Sequence, residues 1–297
     1  MSQQTAAKLK MVCSMFIFGT IGIFVNYIPF PRGLIAFVRG LTGALFLFAV
    51  LCIKRVRPSG ECIRKNLLWL LLSGTCLGFN WVLLFEAYRY TSVAVSTICY
   101  YMAPSLVILA APIVLKEPIS IKKIVCLILS ILGMVLVSGV LQDEHQHPQQ
   151  LKGVLLGLGA AVLYASIALM NKKIHDISAY DKTIVQLGTS AVVMLPYCLL
   201  TVTPADLAVD NAAMVWGLLL FVGIVHTGFT YFLYFGAMDR ISAQTAAIVS
   251  YIDPVVAVLA SFFFLKQDML TAQWIGAVLI LGAALLSELP SNVKSRR

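Results

Sequence analysis

The sequence predicts an all-α integral membrane protein of ten transmembrane helices, folded as two inverted five-helix repeats. Of its 297 residues 60% are hydrophobic and only 12% charged, and mean hydropathy is +0.91; a soluble domain of this size has no use for so much apolar surface. Ten apolar runs are each long enough, at about 17–25 residues, to cross a bilayer. The segment 78–117 aligns without a gap on 228–267, with 13 identities in 40 positions.

The runs cover approximately 10–29, 33–53, 66–86, 92–115, 121–141, 152–171, 183–203, 214–236, 242–265 and 272–289. The first is too long for a signal-peptide core and lacks a small-x-small cleavage site, so it reads as a retained span. Turn or charge signals separate the runs, among them Pro29-Phe-Pro31, Arg57-Pro-Ser-Gly60, Lys116-Glu-Pro118 and Thr203-Pro204. No connection is long enough for a soluble domain.

Charge sets the orientation. With the N-terminus in the cytoplasm, 17 of the 22 lysines and arginines fall on the inner side, four fall outside (Arg32, Arg89, Lys152, Lys266), and Arg39 lies within a span. The positive-inside rule therefore predicts both termini in the cytoplasm, in the cell (inner or plasma) membrane. The same distribution turns the net charge of +9 away from nucleic acid. The seven cysteines are odd in number, scattered and without a C-x-x-C pair, and read as small hydrophobes rather than as disulfides or metal ligands.

The repeat includes Gly78/Gly228, Tyr101/Tyr251, Pro104/Pro254 and Lys116/Lys266, which shared hydrophobicity does not explain. Five spans per half is an odd number, so the halves enter the membrane from opposite sides. The predicted organisation is a first repeat over 1–141, an external loop over 142–151, a second repeat over 152–289 and a basic cytoplasmic tail over 290–297.

Asn80-Trp-Val-Leu-Leu-Phe-Glu-Ala87-Tyr-Arg-Tyr90-Thr91-Ser, the proline-bearing spans, Leu115-Lys-Glu117-Pro-Ile-Ser120 and Thr271-Ala-Gln-Trp-Ile-Gly276-Ala-Val-Leu-Ile280-Leu-Gly282 resemble the EamA repeats of the drug/metabolite transporter superfamily. Arg39 fits the same pattern. The resemblance covers nearly the whole chain in two copies. It implies ten helices around a central cavity and transport, often outward, of small metabolites or amphiphiles. One departure stands out: the family's glutamate after the fourth span of each repeat is present as Glu117 but is Gln267 in the second copy.

Candidate site residues follow from depth and helical face. Asp253, in Ser250-Tyr-Ile-Asp253-Pro254, lies about 11 residues into its span and hence near the midplane. An ionised carboxylate there costs about 3 kcal/mol or more. Two readings stand beside each other: a proton-coupling or substrate-binding acid, or a neutral acid hydrogen-bonded to carbonyls freed by Pro254. At about 100° per residue Ser250 and Ala257 share the side of Asp253, while Tyr251, Val255, Val258 and Phe262 lie across the helix, toward lipid. The same reasoning on the first copy favours Tyr100 over Tyr101 as a cavity residue. Cys76 and Asn80 in the third span, and His226 and Thr230 in the eighth, form matched polar stripes. His226 reads either as a proton or carboxylate partner or as a neutral histidine in a helix–helix hydrogen bond; Trp81 and Tyr231 read as cavity walls or as packing.

Arg39, about 10 Å from the outer end of its span, is expected to face inward and hold a substrate carboxylate, Glu86 or Asp253, because a lipid-facing arginine at that depth is costly. Glu86 and Arg89 read as interfacial. Gly74-x-x-x-Gly78 and Gly153-x-x-x-Gly157 suit close helix packing. Asp143-Glu-His145-Gln-His147 reads as a solvated loop before it reads as a metal site. No catalytic set and no cofactor or ATPase signature appears, so the sequence predicts no enzyme.

The expected function is secondary transport by alternating access. A small organic metabolite, an amino acid or related amphiphile, is exported, with a proton as the candidate coupling ion, by a monomer or weak dimer. Asp253, Arg39, Tyr100, Asn80, Trp81, His226 and Ser250 are the expected substrate-binding and coupling residues. The alternatives are a passive channel or facilitator and an intramembrane enzyme.

Overall fold

A computed structural model describes residues 3–114, 121–138, 148–238 and 249–288, and every regular element among them is helical. In chain order these are α1 (Gln3–Asn26), α2 (Arg32–Ile53), the short α3 (Gly60–Lys65), α4 (Leu67–Ala87), α5 (Val93–Tyr100), α6 (Ala103–Val114), α7 (Ile121–Ser138), α8 (Pro148–Asn171), α9 (Ala179–Thr201), the short α10 (Pro204–Leu207), α11 (Ala212–Gly223), a π-helical turn (Ile224–Phe229), α12 (Thr230–Met238), α13 (Ile252–Leu265) and α14 (Thr271–Glu288).

Seven helical stretches among the described residues are long and apolar enough to cross a membrane, including Val93–Ala110 across the α5–α6 break and Ala212–Tyr234 through the π turn; Ile252–Leu265 and Thr271–Leu286 are shorter apolar helices. Their outward faces carry Phe16, Leu45, Leu68, Val192, Phe263 and Val278, all exposed. So much exposed aliphatic surface is unstable in water and matches lipid, and helices satisfy their own backbone polar groups there. The protein is a multi-pass membrane protein.

Local chemistry sets the helix ends. The Ser92 hydroxyl accepts from the Val95 amide at 3.1 Å and caps α5, and Ser178 does the same for α9 through Asp181 N at 3.0 Å. Outside the spans, Asp206 accepts from both the amide and the hydroxyl of Thr203 at 2.8 and 2.7 Å; these bonds hold its carboxyl below the ordinary aspartate range.

The boundaries depart from the sequence reading in several places. α1 starts at Gln3 and α8 at Pro148, because polar first turns continue a helix that the apolar pattern alone cuts short. The fourth run is broken: α5 ends at Tyr100, Tyr101 and Met102 form a turn, and α6 starts with Pro104 as its second residue. A proline there gives up no intrahelical hydrogen bond, so it sits in a first turn rather than kinking a continuous helix. The ninth run is interrupted likewise at Tyr251, ahead of α13 and Pro254, and the eighth carries the π turn.

α4 packs between α8 and α9, α2 lies on α9 and on α11 with its π turn, α1 on α12 and α13, α5 on α8 and α13, and α7 on α14. The last pair touches backbone to backbone. A Cβ on Gly133 would come within 2.7 Å of the Gly276 carbonyl oxygen, and one on Gly276 within 2.5 Å of that of Gly133, so both positions need glycine. The two expected packing motifs also lie at helix contacts: Gly74 and Gly78 against Gln186, Ser190 and Met194 of α9, Gly153 and Gly157 against Thr91, Ser96 and Cys99. All seven cysteines are unpaired. The Asp143–His147 cluster and Glu117 lie outside the described residues.

Candidate substrate cavity

A cavity of about 490 Å³ opens among α1, α2, α4, the α5–α6 break, α8, α9, α12 and the start of α13. The two broken helices meet at its wall. The Tyr101 hydroxyl donates to Asp253 Oδ2 at 2.7 Å, joining the turn before α6 to the first turn of α13. The Tyr100 ring packs edge-on against Tyr101 at 5.8 Å between centroids and tilted against Tyr164 at 5.1 Å.

The basic wall is built by α2. Arg39 is only 4% exposed. Its Nε donates to Thr227 Oγ1 at 3.1 Å, and its guanidinium lies 4.1 Å from the Trp81 ring centre and 5.2 Å from that of Phe85. Thr227 belongs to the π turn and spends its own proton on the Val222 carbonyl at 3.3 Å, which leaves the oxygen free to accept from arginine. The irregular turn thus anchors the arginine, in keeping with the frequent placement of π-bulges at functional sites.

Five of the seven predicted residues line the cavity: Arg39, Trp81, Tyr100, Ser250 and Asp253. Arg39 faces inward as expected, but it forms no ion pair with Glu86 or Asp253; Glu86 pairs instead with Arg89 at 3.3 Å in an exposed contact. Asn80 and His226 lie outside the lining. Asn80 is fully buried and donates to the Ala160 carbonyl at 2.6 Å, tying α4 to α8. His226 Nε2 lies 3.1 Å from Thr20 Oγ1 of α1. That threonine donates to the Ile17 carbonyl at 2.8 Å, so Nε2 is the donor in a helix–helix bond, and the ring is wedged between Phe24 and Phe221 at 4.8 and 5.4 Å. A polar stripe at four-residue spacing fixes a shared face but leaves open whether that face meets a cavity or a neighbouring helix.

The face assignments around the breaks also change. Tyr101 and Tyr251, expected across the helix, both line the cavity, because helical phase does not carry through a turn. Val258, expected toward lipid, is 4% exposed and packs with Ile98, Met134 and Ile280. Tyr164, Lys182 and Gln186 of the wall escaped the sequence reading; Lys182 and Gln186, four apart in a span, were the available signal. Gln186 donates to Ser73 Oγ and Asn171 Oδ1 at 2.7 and 2.8 Å. Gln267, standing where the first copy has glutamate, accepts from the Val93 amide at 3.0 Å and from the Ser261 hydroxyl through one oxygen, and so clasps the start of α5 to the end of α13.

Comparison with known proteins fits this architecture. The EamA-like transporter family matches residues 6–139 and again 151–289. The chain belongs to the EamA-like transporter family. Among its curated relatives, the uncharacterized transporter YxxF of Bacillus subtilis (strain 168) is 30% identical over 96% of this chain and 90% of its own length. Protein PecM of Dickeya dadantii (strain 3937) is 26% identical over 88% of this chain and 84% of its own length. A solved crystal structure, 17% identical, covers 96% of this chain and 97% of its own with a TM-score of 0.62, a likeness of fold. For this EamA-like chain, a multi-pass helical bundle around a polar and aromatic cavity is therefore a transporter's architecture.

Proposed function

We propose that this protein is a secondary active transporter that exports a small organic metabolite, an amino acid or related amphiphile, by alternating access. In this reading ten transmembrane helices form two inverted repeats, 1–141 and 152–289, joined by the external segment 142–151, with both termini in the cytoplasm and the chain in the cell membrane. The observation that carries it is a midspan cavity with walls from both halves, at which two broken helices meet through Tyr101 and Asp253. Interrupted helices facing each other across a central site are the common construction of alternating-access transporters.

The packing supports the repeat. Shifting the sequence by 150 positions exchanges α4 on α8 for α12 on α1, and α6 on α8 for α13 on α1, while α2–α9 and α7–α14 pair across the exchange. Two similar halves of this kind reach a second state by swapping conformations.

Purified protein in proteoliposomes, loaded with labelled amino acids in turn, tests the proposal. Movement against a concentration gradient, driven by an imposed proton gradient, is the expected outcome. Equilibration without concentration would leave a facilitator, and recovery of a chemically altered solute would leave an enzyme. A thermal-shift screen identifies candidates first, since only molecules that bind the folded state raise its stability.

A further inference from the structure

The cavity has an uneven charge inventory. Among the described residues two cations line it, Arg39 and Lys182, against one carboxylate, Asp253. Neither cation forms an ion pair among the described residues. The carboxylate already has a donor in the Tyr101 hydroxyl.

We propose that this site recognises the carboxylate of a flat, apolar organic acid, with Arg39 as the anion receptor, and that an ammonium group on the ligand is dispensable. The proposal rests on the transporter reading for the ligand's passage and deepens it by naming the recognised group.

Arg39 carries five N–H donors and spends one, on Thr227; its two terminal nitrogens have no hydrogen-bond partner among the described residues, although the side chain is 4% exposed. A buried guanidinium left this way is incomplete, and removing a charge partner from such a setting is strongly unfavourable. A carboxylate completes it by a forked pair of charge-assisted bonds, a geometry that lysine does not reproduce. The receptor is held ready: Thr227 grips it through Nε, and Trp81 and Phe85 hold the guanidinium from the rings at 4.1 and 5.2 Å. Little ordering is then left to accomplish on binding. Tyr100, Tyr164 and Tyr231 add aromatic wall, suited to a planar apolar body.

The remaining charges reinforce the sign. Asp181, next to Lys182, is 5% exposed, accepts from the Ser59 amide at 3.4 Å and is not part of the lining. His226 is engaged with Thr20 outside the lining. A cationic amphiphile would therefore meet two like charges and would have to share Asp253 with the Tyr101 hydroxyl, which is discrimination by repulsion as well as by a partly spent acceptor.

Three probes that share one ring and chain length separate the possibilities: 3-phenylpropionate (carboxylate alone), phenylalanine (both charges) and phenethylamine (ammonium alone). Binding is measured on the purified full chain in nanodiscs. The expected order is 3-phenylpropionate at least as tight as phenylalanine, with phenethylamine at least about tenfold weaker than either, the loss expected of a charge-assisted contact. Arg39→Gln is expected to cost the acid at least about tenfold, and Arg39→Lys to keep the order at reduced affinity. The wild-type order needs no variant to fold. Phenethylamine binding as tightly as the acid, phenylalanine alone binding, none of the three binding, or an Arg39→Gln variant that folds and binds the acid unchanged would each overturn the proposal. If 3-phenylpropionate binds through Arg39 yet never crosses a proteoliposome membrane, the receptor stands and the transporter reading falls.

Discussion

The turn at Tyr101–Met102 and the turn at Tyr251 lie 150 positions apart in sequence, each followed by a proline in the first turn of the next helix. Of the two residues between, Met102 and Ile252 are both apolar, and the chemical difference is Ala103, 1% exposed and packed with Cys99 and Met102, against Asp253, bonded to Tyr101. Tyrosine and proline are thus scaffold present twice, and the carboxylate is chemistry present once. A break costs little where proline gives up no hydrogen bond, so both can persist while only one carries a group able to exchange a proton. Duplicated architecture leaves one copy free to specialise.

The largest test of that difference is Asp253→Asn. It keeps shape and one acceptor but removes the titratable group, and transport is expected to lose its pH dependence while the purified variant stays folded. An unchanged pH profile would make Asp253 structural and erase the functional asymmetry. Tyr101→Phe comes next. It strips the donor from Asp253, and a rate loss of about tenfold with a displaced pH profile is expected, the size of one hydrogen bond to a charged or acidic group. An unaltered profile would mean that the two breaks are coupled only by packing.

Gln267→Ala sharpens the comparison where the start of α5 meets the end of α13. Two donors, Val93 N and Ser261 Oγ, lose their acceptor; a loss of about 1–2 kcal/mol in stability is expected, read as a lowered Tm. Gln267→Glu, which restores the residue type found at Glu117 in the first copy, should keep most of that stability. The smallest effect is expected from the prolines. Pro104→Ala and Pro254→Ala should each shift stability by less than about 1 kcal/mol, and by similar amounts. If only Pro254→Ala stops transport, the second break is a moving part and the first a fixed one.

Much of the fold was legible in the sequence, because the bilayer permits few solutions. Apolar runs of spanning length must be helices, and the ungapped 78–117 and 228–267 match marked Pro104 and Pro254 as matched prolines, though within runs that read as continuous. The wall was half legible. Arg39 and Asp253 were recoverable because a charge at membrane depth is expensive and must face protein or cavity. Asn80 and His226 lie outside the lining because an uncharged polar group can turn to a neighbouring helix instead, as these two turn to Ala160 and Thr20.

Hydropathy, the repeat and the rare intramembrane charges are properties of composition and order, and by themselves they determined a multi-pass helical chain with an arginine and an aspartate turned inward. Only tertiary structure decided which residues meet. Tyr101 reaches Asp253 across 152 positions, and Arg39 finds Thr227 across 188, through a turn and a π-helical step that reset the helical phase. Periodicity assigns faces only while a helix runs unbroken, and here the chemistry gathers where helices break.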